Sequence, residues 1–397
     1  MSGLRRCLFG LSLLVAVGSA AAYTVNTVIP QSGGCPVRTR FNTASPINRR
    51  WSTSLPAPPV LYTVASPGTA DQINEVQQVI LTAFAAWTGV SGTLLNAVTY
   101  PSALAPLGQT ATATACSDDS GGNLTGNDTI CFNQASQAFT PGVLAFTRVF
   151  VASAPGQTLG STTSAFAGQI LQADVLVRND GTVSFATPGA LGSHPEAYDL
   201  ETVLIHELGH FFGLEHSPVW RAIMAPFAPA PGTFLPPRPS AQTPDAPLRE
   251  DDRTGLRVLY PDPLDTAHTG TILGRVLPAN LLSLAAVPAP AAGQFVSGLF
   301  GAHVVAVDAD TGEVVAGAIA GWSCPVPSAV PVFDGSYRLE RLPLGRNYNL
   351  FVEPLDGAIP PAMLGGNVLS PCSTSSPTPC QSPPPATNFV VRPRSSS

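Results

Sequence analysis

The chain has no lysine; all 19 of its basic residues are arginine. Set against 25 acidic residues they leave a formal net charge of −6 and no basic patch. Nucleic-acid binding, which needs clustered positive charge to meet phosphates, is disfavoured as a function class. Taken with abundant alanine, proline and glycine, the missing lysine points to a GC-rich bacterial genome rather than to a physical adaptation. Charge of either sign is scarce, at 11% of residues, whereas proline and glycine number 41 and 36, the balance of a loop-rich extracellular protein. With 44% hydrophobic residues there is ample material for folded cores, which excludes a disordered chain. Also lacking is an apolar run of the ~20 residues that a membrane-spanning helix needs. The nearest approach is at the N-terminus, where Arg5 and Arg6 precede the short apolar run Cys7–Val17 and the small residues Ser19–Ala22. That pattern predicts a secretory signal over 1–22, cut after Ala22, and hence a secreted protein with no membrane span. The remaining stretch of about 375 residues suffices for about two domains.

Cysteine is sparse: seven in all, six once Cys7 leaves with the signal. An even number in an exported chain favours disulfides over thiols, with many connectivities allowed. The nearest-neighbour pairs Cys116–Cys131 and Cys372–Cys380 are plausible and leave Cys35 and Cys324. A bond between those two would staple the N-terminal segment, residues 23–45, to a C-terminal module.

Histidine is rarer still, yet three of the six fall in one run of eleven residues, His206-Glu-Leu-Gly-His-Phe-Phe-Gly-Leu-Glu-His216. On a helix His206 and His210 project from one face, one turn apart, and can share a metal. Glu207 sits beside the first of them, close enough to reach a water on that metal without being a ligand. Gly213 can take the left-handed conformation that ends a helix and turns the chain back, bringing His216 in as third ligand. Three imidazoles with a fourth position open describe a catalytic zinc rather than a structural one.

This run resembles the metzincin signature, and its surroundings resemble the matrixin (peptidase M10) branch. Tyr198-Asp-Leu-Glu-Thr-Val-Leu-Ile205 is similar to the start of the matrixin active-site helix, and Ser217 is the residue type that matrixins carry after the third histidine. Ala222-Ile-Met-Ala-Pro226 resembles the Met-turn, with Met224 packed beneath the metal and not a ligand. Leu248–Tyr260 is similar to the family's C-terminal helix, with its acidic pair at Asp251 and Asp252. Arg50-Trp51, Val60–Val64 and Ala83–Trp87 are similar to its first strand and first helix. The resemblance implies a matrixin-like zinc metallopeptidase domain over 46–262, an α+β fold in which a twisted mixed sheet lies above the active-site helix. It implies a secreted zinc-dependent endopeptidase of EC 3.4.24 type, acting on protein or peptide substrates. A zinc-activated water would attack an internal peptide bond with Glu207 as general base. Substrate would lie extended along an edge strand of the sheet. The Pro-rich segment Phe227–Pro247 falls where matrixins form the wall of their specificity pocket. The vertebrate enzymes' second zinc needs further histidines; here only His194 is on offer, so that zinc is expected to be absent. Cys35 lies outside the PRCGxPD context of the vertebrate latency cysteine, and a structural disulfide is its better reading.

Elsewhere, Asp71 can cap a helix running through Gln78 to Trp87, and Val143–Phe150 and Gln169–Val177 alternate as strands. Asp199 can cap the active-site helix, Glu201–Leu214. Ser117–Asp128 is rich in oxygen side chains and could hold calcium, although its spacing is not that of an EF-hand and a plain solvated loop reads as well. Past Pro263, short β-rich runs at Gly270–Val276, Ala302–Asp308, Val314–Ile319, Gly335–Glu340 and Tyr348–Glu353 predict a small all-β sandwich over 266–397. Its turn sequences resemble the carboxypeptidase regulatory-like, transthyretin-type fold. Thr387–Arg392 is a candidate last strand after a Pro/Ser/Cys-rich loop over 371–386, and no catalytic constellation is visible there. The alternative reading is a secreted binding or adhesion protein built on an inactive or latent metalloprotease scaffold; an altered Glu207 or a missing ligand would have favoured it. A third reading, a zinc exopeptidase or a hydrolase of another bond, is disfavoured by the open cleft that the resemblance implies. A monomer is expected.

Overall fold

The computed structural model describes residues 25–45, 47, 49–96, 105–107, 124, 126–132, 139–219, 222–234, 247–290, 294–324 and 331–354. In chain order they form β1 (Thr27–Val28), β2 (Val37–Arg38), β3 (Arg49–Ser52), β4 (Leu61–Tyr62) and α1 (Ala70–Thr88). There follow β5 (Ala105–Leu107), β6 (Asp128–Cys131), β7 (Ala145–Val151), β8 (Thr158–Leu159), β9 (Thr162–Thr163) and β10 (Ile170–Val177). Next are β11 (Phe185–Ala186), β12 (Tyr198–Asp199), α2 (Leu200–Phe211) and α3 (Glu250–Leu259). The C-terminal strands are β13 (Thr269–Arg275), β14 (His303–Asp308), β15 (Val314–Ile319), β16 (Ser336–Pro343) and β17 (Tyr348–Glu353).

The principal sheet has the order β5-β3-β6-β10-β7, parallel except for β7, which runs antiparallel to β10 at the end of that order. Every residue of β10 is buried, as a strand covered on both faces should be. Helices α1 and α2 lie against the sheet in one core that includes Trp51, Ile80, Phe84, Trp87, Val175, Leu204 and Phe211. Trp87 does more than fill space: its indole Nε1 donates to the carbonyl of Ile205, 2.8 Å away, and so ties α1 to the middle of α2. The fold is α+β, as the resemblance implies, and the strand positions agree to within a few residues.

Two local expectations change. Helix α1 is capped by Thr69, whose side chain accepts from the Gln72 amide, while Asp71 sits inside the first turn. Serine-type hydroxyls and carboxylates cap equally well, so the pattern alone did not separate them. Helix α2 ends at Phe211 rather than Leu214, because Gly213 takes φ +96° two residues later. The N-terminal segment, which shows no periodicity, forms the two-residue hairpin β1–β2, too short to leave an alternating signal.

Past residue 263 the chain builds separate β-sheet elements, β13 paired with β16 and the three-stranded β15-β14-β17, all antiparallel. Their small core holds Val304, Ala306, Val315, Leu339 and Leu342, and it also takes in Val258 from α3. Thr387–Arg392, the loop 371–386 and the pair Cys372–Cys380 lie outside the described residues. Cys35 and Cys324 are bonded, with Cα atoms 6.2 Å apart and a sequence separation of 289. Cys131 is also in a disulfide, with a cysteine outside the described residues.

Closing so long a loop should remove much conformational freedom from the unfolded chain. Replacing Cys35 and Cys324 together by serine is expected to cost roughly 2–4 kcal/mol. Calorimetry under non-reducing conditions would register this as a lower melting temperature; an unchanged transition would show that the tether is redundant.

Candidate metal centre

Helix α2 starts where a carboxylate can satisfy its first amides. Asp199 Oδ2 accepts from the Thr202 amide at 2.7 Å and from the Thr202 hydroxyl at 2.8 Å. Six and ten residues on from Leu200, His206 and His210 emerge on one face, their ring centroids 4.9 Å apart. The chain then leaves the helix at Gly213, where the carbonyl of Thr39 comes so close that an added Cβ would lie 2.5 Å from it. This turn carries the chain back and sets the His216 ring 5.0 Å from His206 and 4.7 Å from His210. One ligand atom from each of the three imidazoles lies within 4.8 Å of the others.

Two of the rings are aimed by backbone carbonyls. His206 Nδ1 lies 2.7 Å from the oxygen of Ile223, and His210 Nδ1 lies 2.9 Å from that of Leu214. A carbonyl only accepts, so Nδ1 carries the proton in each and Nε2 presents its lone pair. Burial holds all three imidazoles below their ordinary pKa. His206 is lowered by burial against the pull of the Ile223 carbonyl; His210 falls to about 3 through burial and the neighbouring His206; His216 lies well below 6.5 through burial and both other rings. Neutral imidazoles are what a metal requires, and an all-nitrogen set of three suits zinc. The donor set therefore fits a single zinc ion.

Glu207 is buried beside this cluster, and burial raises its carboxyl to about 7. The opposing influence is the hydroxyl of Thr147 on β7, 2.7 Å from Glu207 Oε2 and 2.9 Å from the Glu207 carbonyl. Thr147 lies 60 positions away in sequence, and no motif points to it. Met224 is fully buried under the site. Gly209 makes room for it, since a Cβ there would overlap Met224 Sδ and come 2.9 Å from the Trp87 ring. The Met-turn is held by Asp252, whose carboxylate accepts from the amides of Ile223 (2.9 Å), Met224 (3.1 Å) and Arg249 (2.9 Å). Burial raises Asp252 to about 6 while these amides pull it down. Asp251 Oδ2 accepts from the buried Ser217 hydroxyl at 2.6 Å. Sequence reading marks the acidic pair only as a likeness; its task, fixing the two segments that flank the histidines, needs the fold. Glu215 was not foreseen at all: it is buried next to His216, and burial raises its carboxyl to about 8.

The other histidines stay apart. His194, expected to be an exposed loop residue, is partly exposed and stacks on Tyr62 with ring centroids 3.7 Å apart, its Nδ1 3.2 Å from Glu196. His268 is exposed, and buried His303 lies 2.8 Å from the Glu353 carboxylate. Among the described residues no further group of three potential ligands gathers. Most of the candidate calcium loop Ser117–Asp128 lies outside the described residues, as do residues 235–246 of the segment after the Met-turn. What is described of that segment is tied by the Gly232 amide to the carbonyl of Ala197 just before β12, at 2.8 Å.

The depressed imidazole pKa values carry a sign. A ligand whose pKa lies below its ordinary 6.5 stays neutral as pH falls past that value, so protons compete with the metal only at lower pH. Zinc affinity, measured by chelator competition, is expected to change by less than about tenfold between about pH 7.5 and about pH 6. A loss of about fiftyfold over that interval, roughly fourfold per histidine, would mean that the rings titrate as exposed imidazoles.

Comparison with known proteins agrees with this geometry. The matrixin (peptidase M10) family model matches residues 155–261. The chain is also similar to Metalloendoproteinase 1 of Glycine max, 45% identical over 64 residues, which are 16% of this chain and 17% of that protein. The region around α2 is thus a matrixin-type catalytic domain with a three-histidine zinc-binding cluster, and a separate C-terminal β-sheet domain follows it.

Proposed function

We propose that this chain is a secreted zinc-dependent endopeptidase that hydrolyses internal peptide bonds, with His206, His210 and His216 as zinc ligands and Glu207 as general base. The observation that carries this is the convergence of three neutral imidazoles with a buried carboxylate beside them. Bound zinc would supply Lewis acidity, acidifying a water and polarising the scissile carbonyl. The remaining work falls to the chain. Thr147 holds one oxygen of Glu207, and the other is left to take a proton from the attacking water. A carboxyl raised to about 7 by burial can pass that proton on to the leaving amine near neutral pH. Strand β7, at the end of the sheet order and beside Glu207, supports an extended substrate pairing along its outer edge. The C-terminal sheets are read as a carboxypeptidase regulatory-like module on their turn sequences.

Incubating the zinc-loaded protein with end-blocked peptides should give cleavage at internal bonds. Glu207→Ala should keep its zinc and lose turnover by a factor on the order of 10³; comparable cleavage by that variant would remove Glu207 from the role. Thr147→Val should lower kcat by about tenfold with KM nearly unchanged, whereas Thr147→Ser should retain activity. A rise in KM alone would make Thr147 a substrate contact instead.

A further inference from the structure

The short loop from Phe212 to Ser217 must place His216 against two rings that are already fixed by α2. Its two ends are both gripped, and each grip leads to the C-terminal domain. At the first end, Gly213 O accepts from the Asn26 amide at 2.7 Å, and Val25 bridges to Leu214. The Thr39 amide in turn donates to the Asn26 carbonyl at 2.7 Å, which closes the β1–β2 hairpin around this contact. That hairpin is bonded through Cys35 to Cys324, and Arg38 on β2 pairs with Glu340 on β16. At the other end, the Ser217 hydroxyl donates to Asp251 Oδ2 at 2.6 Å, while Asp251 Oδ1 accepts from the amide of Gly317 on β15 at 3.2 Å. Ser217 and Asp251 are both completely buried, so neither bond competes with water. The helix that bears Asp251 also lends Val258 to the C-terminal core.

We infer that the C-terminal domain is a working part of the metal centre: through Asp251 and through the N-terminal hairpin it positions the loop that presents His216. Ser217 and Asp251 are positioning residues, and the amide of Gly317 is the contact by which the second domain takes part. The inference rests on the reading of the three histidines as zinc ligands. Partners that orient a ligand typically change metal affinity by roughly 10–100-fold when removed. Because coupling is reciprocal, zinc binding must also stabilise the Gly317 contact.

The test uses the full chain, with zinc affinity read by chelator competition and amide exchange at Gly317 read with and without zinc. Ser217→Ala should bind zinc about tenfold more weakly. In the wild type zinc should slow exchange at Gly317, and in Ser217→Ala that slowing should be lost. Asp251→Asn, which keeps one acceptor oxygen where two are used, should behave like Ser217→Ala; should it fail to fold, the serine variant carries the test alone. Wild-type affinity in Ser217→Ala, or exchange at Gly317 indifferent to zinc in the wild type, would overturn the inference. His216→Ala separates the two levels: undiminished zinc affinity in that variant would instead refute the metal-site reading on which the inference stands.

Discussion

A helix can offer two imidazoles four residues apart to one ion, but a third must come from chain that has stopped being helical. In this protein the change of direction occurs at Gly213, at φ +96° and in contact with the backbone of Thr39. A side chain there would meet both an unfavourable dihedral and a carbonyl. The position of His216, and with it the three-nitrogen set, depends on that turn. So does the packing around it, since the loop that leaves Gly213 also supplies the carbonyl of Leu214 that orients His210.

The surrounding polar groups follow from the same need. Neutral imidazoles and a carboxyl near neutrality require burial, and burial leaves backbone amides and side-chain carboxylates that must find partners. Asp252 collects three amides from the Met-turn and the start of α3; Asp251 connects Ser217 with β15; Thr147 ties Glu207 to the end strand of the sheet. Each carboxylate bridges segments distant in sequence. The site is therefore held by tertiary hydrogen bonds rather than by α2 alone, which explains why so short a motif needs a whole domain behind it.

The parts legible in the sequence were those with local causes. The spacing of His206, Glu207, His210 and Gly213, the β-branched and apolar content of β10 and the turn-punctuated runs of β14, β15 and β17 all express a period or a backbone preference. The likeness of Leu248–Tyr260 to a family helix marked Asp251 and Asp252 without giving their partners. What stayed hidden was non-local. Thr147 is an unremarkable residue in a strand until β7 comes to lie beside α2. Glu215 looks like a surface residue until the loop is folded under. The Cys35–Cys324 bond was left over by pairing neighbours, and its meaning, a tether between the hairpin on Gly213 and the C-terminal sheets, depends on three-dimensional arrangement.

The central claim is that three imidazoles from one short run converge on one zinc ion, with Cys35 taken out of play by its disulfide. X-ray absorption at the zinc edge of the loaded full chain tests it directly. The account predicts three imidazole nitrogens at about 2.0–2.1 Å with an oxygen completing the set. A sulfur neighbour at about 2.3 Å, or fewer than three imidazoles, would contradict it.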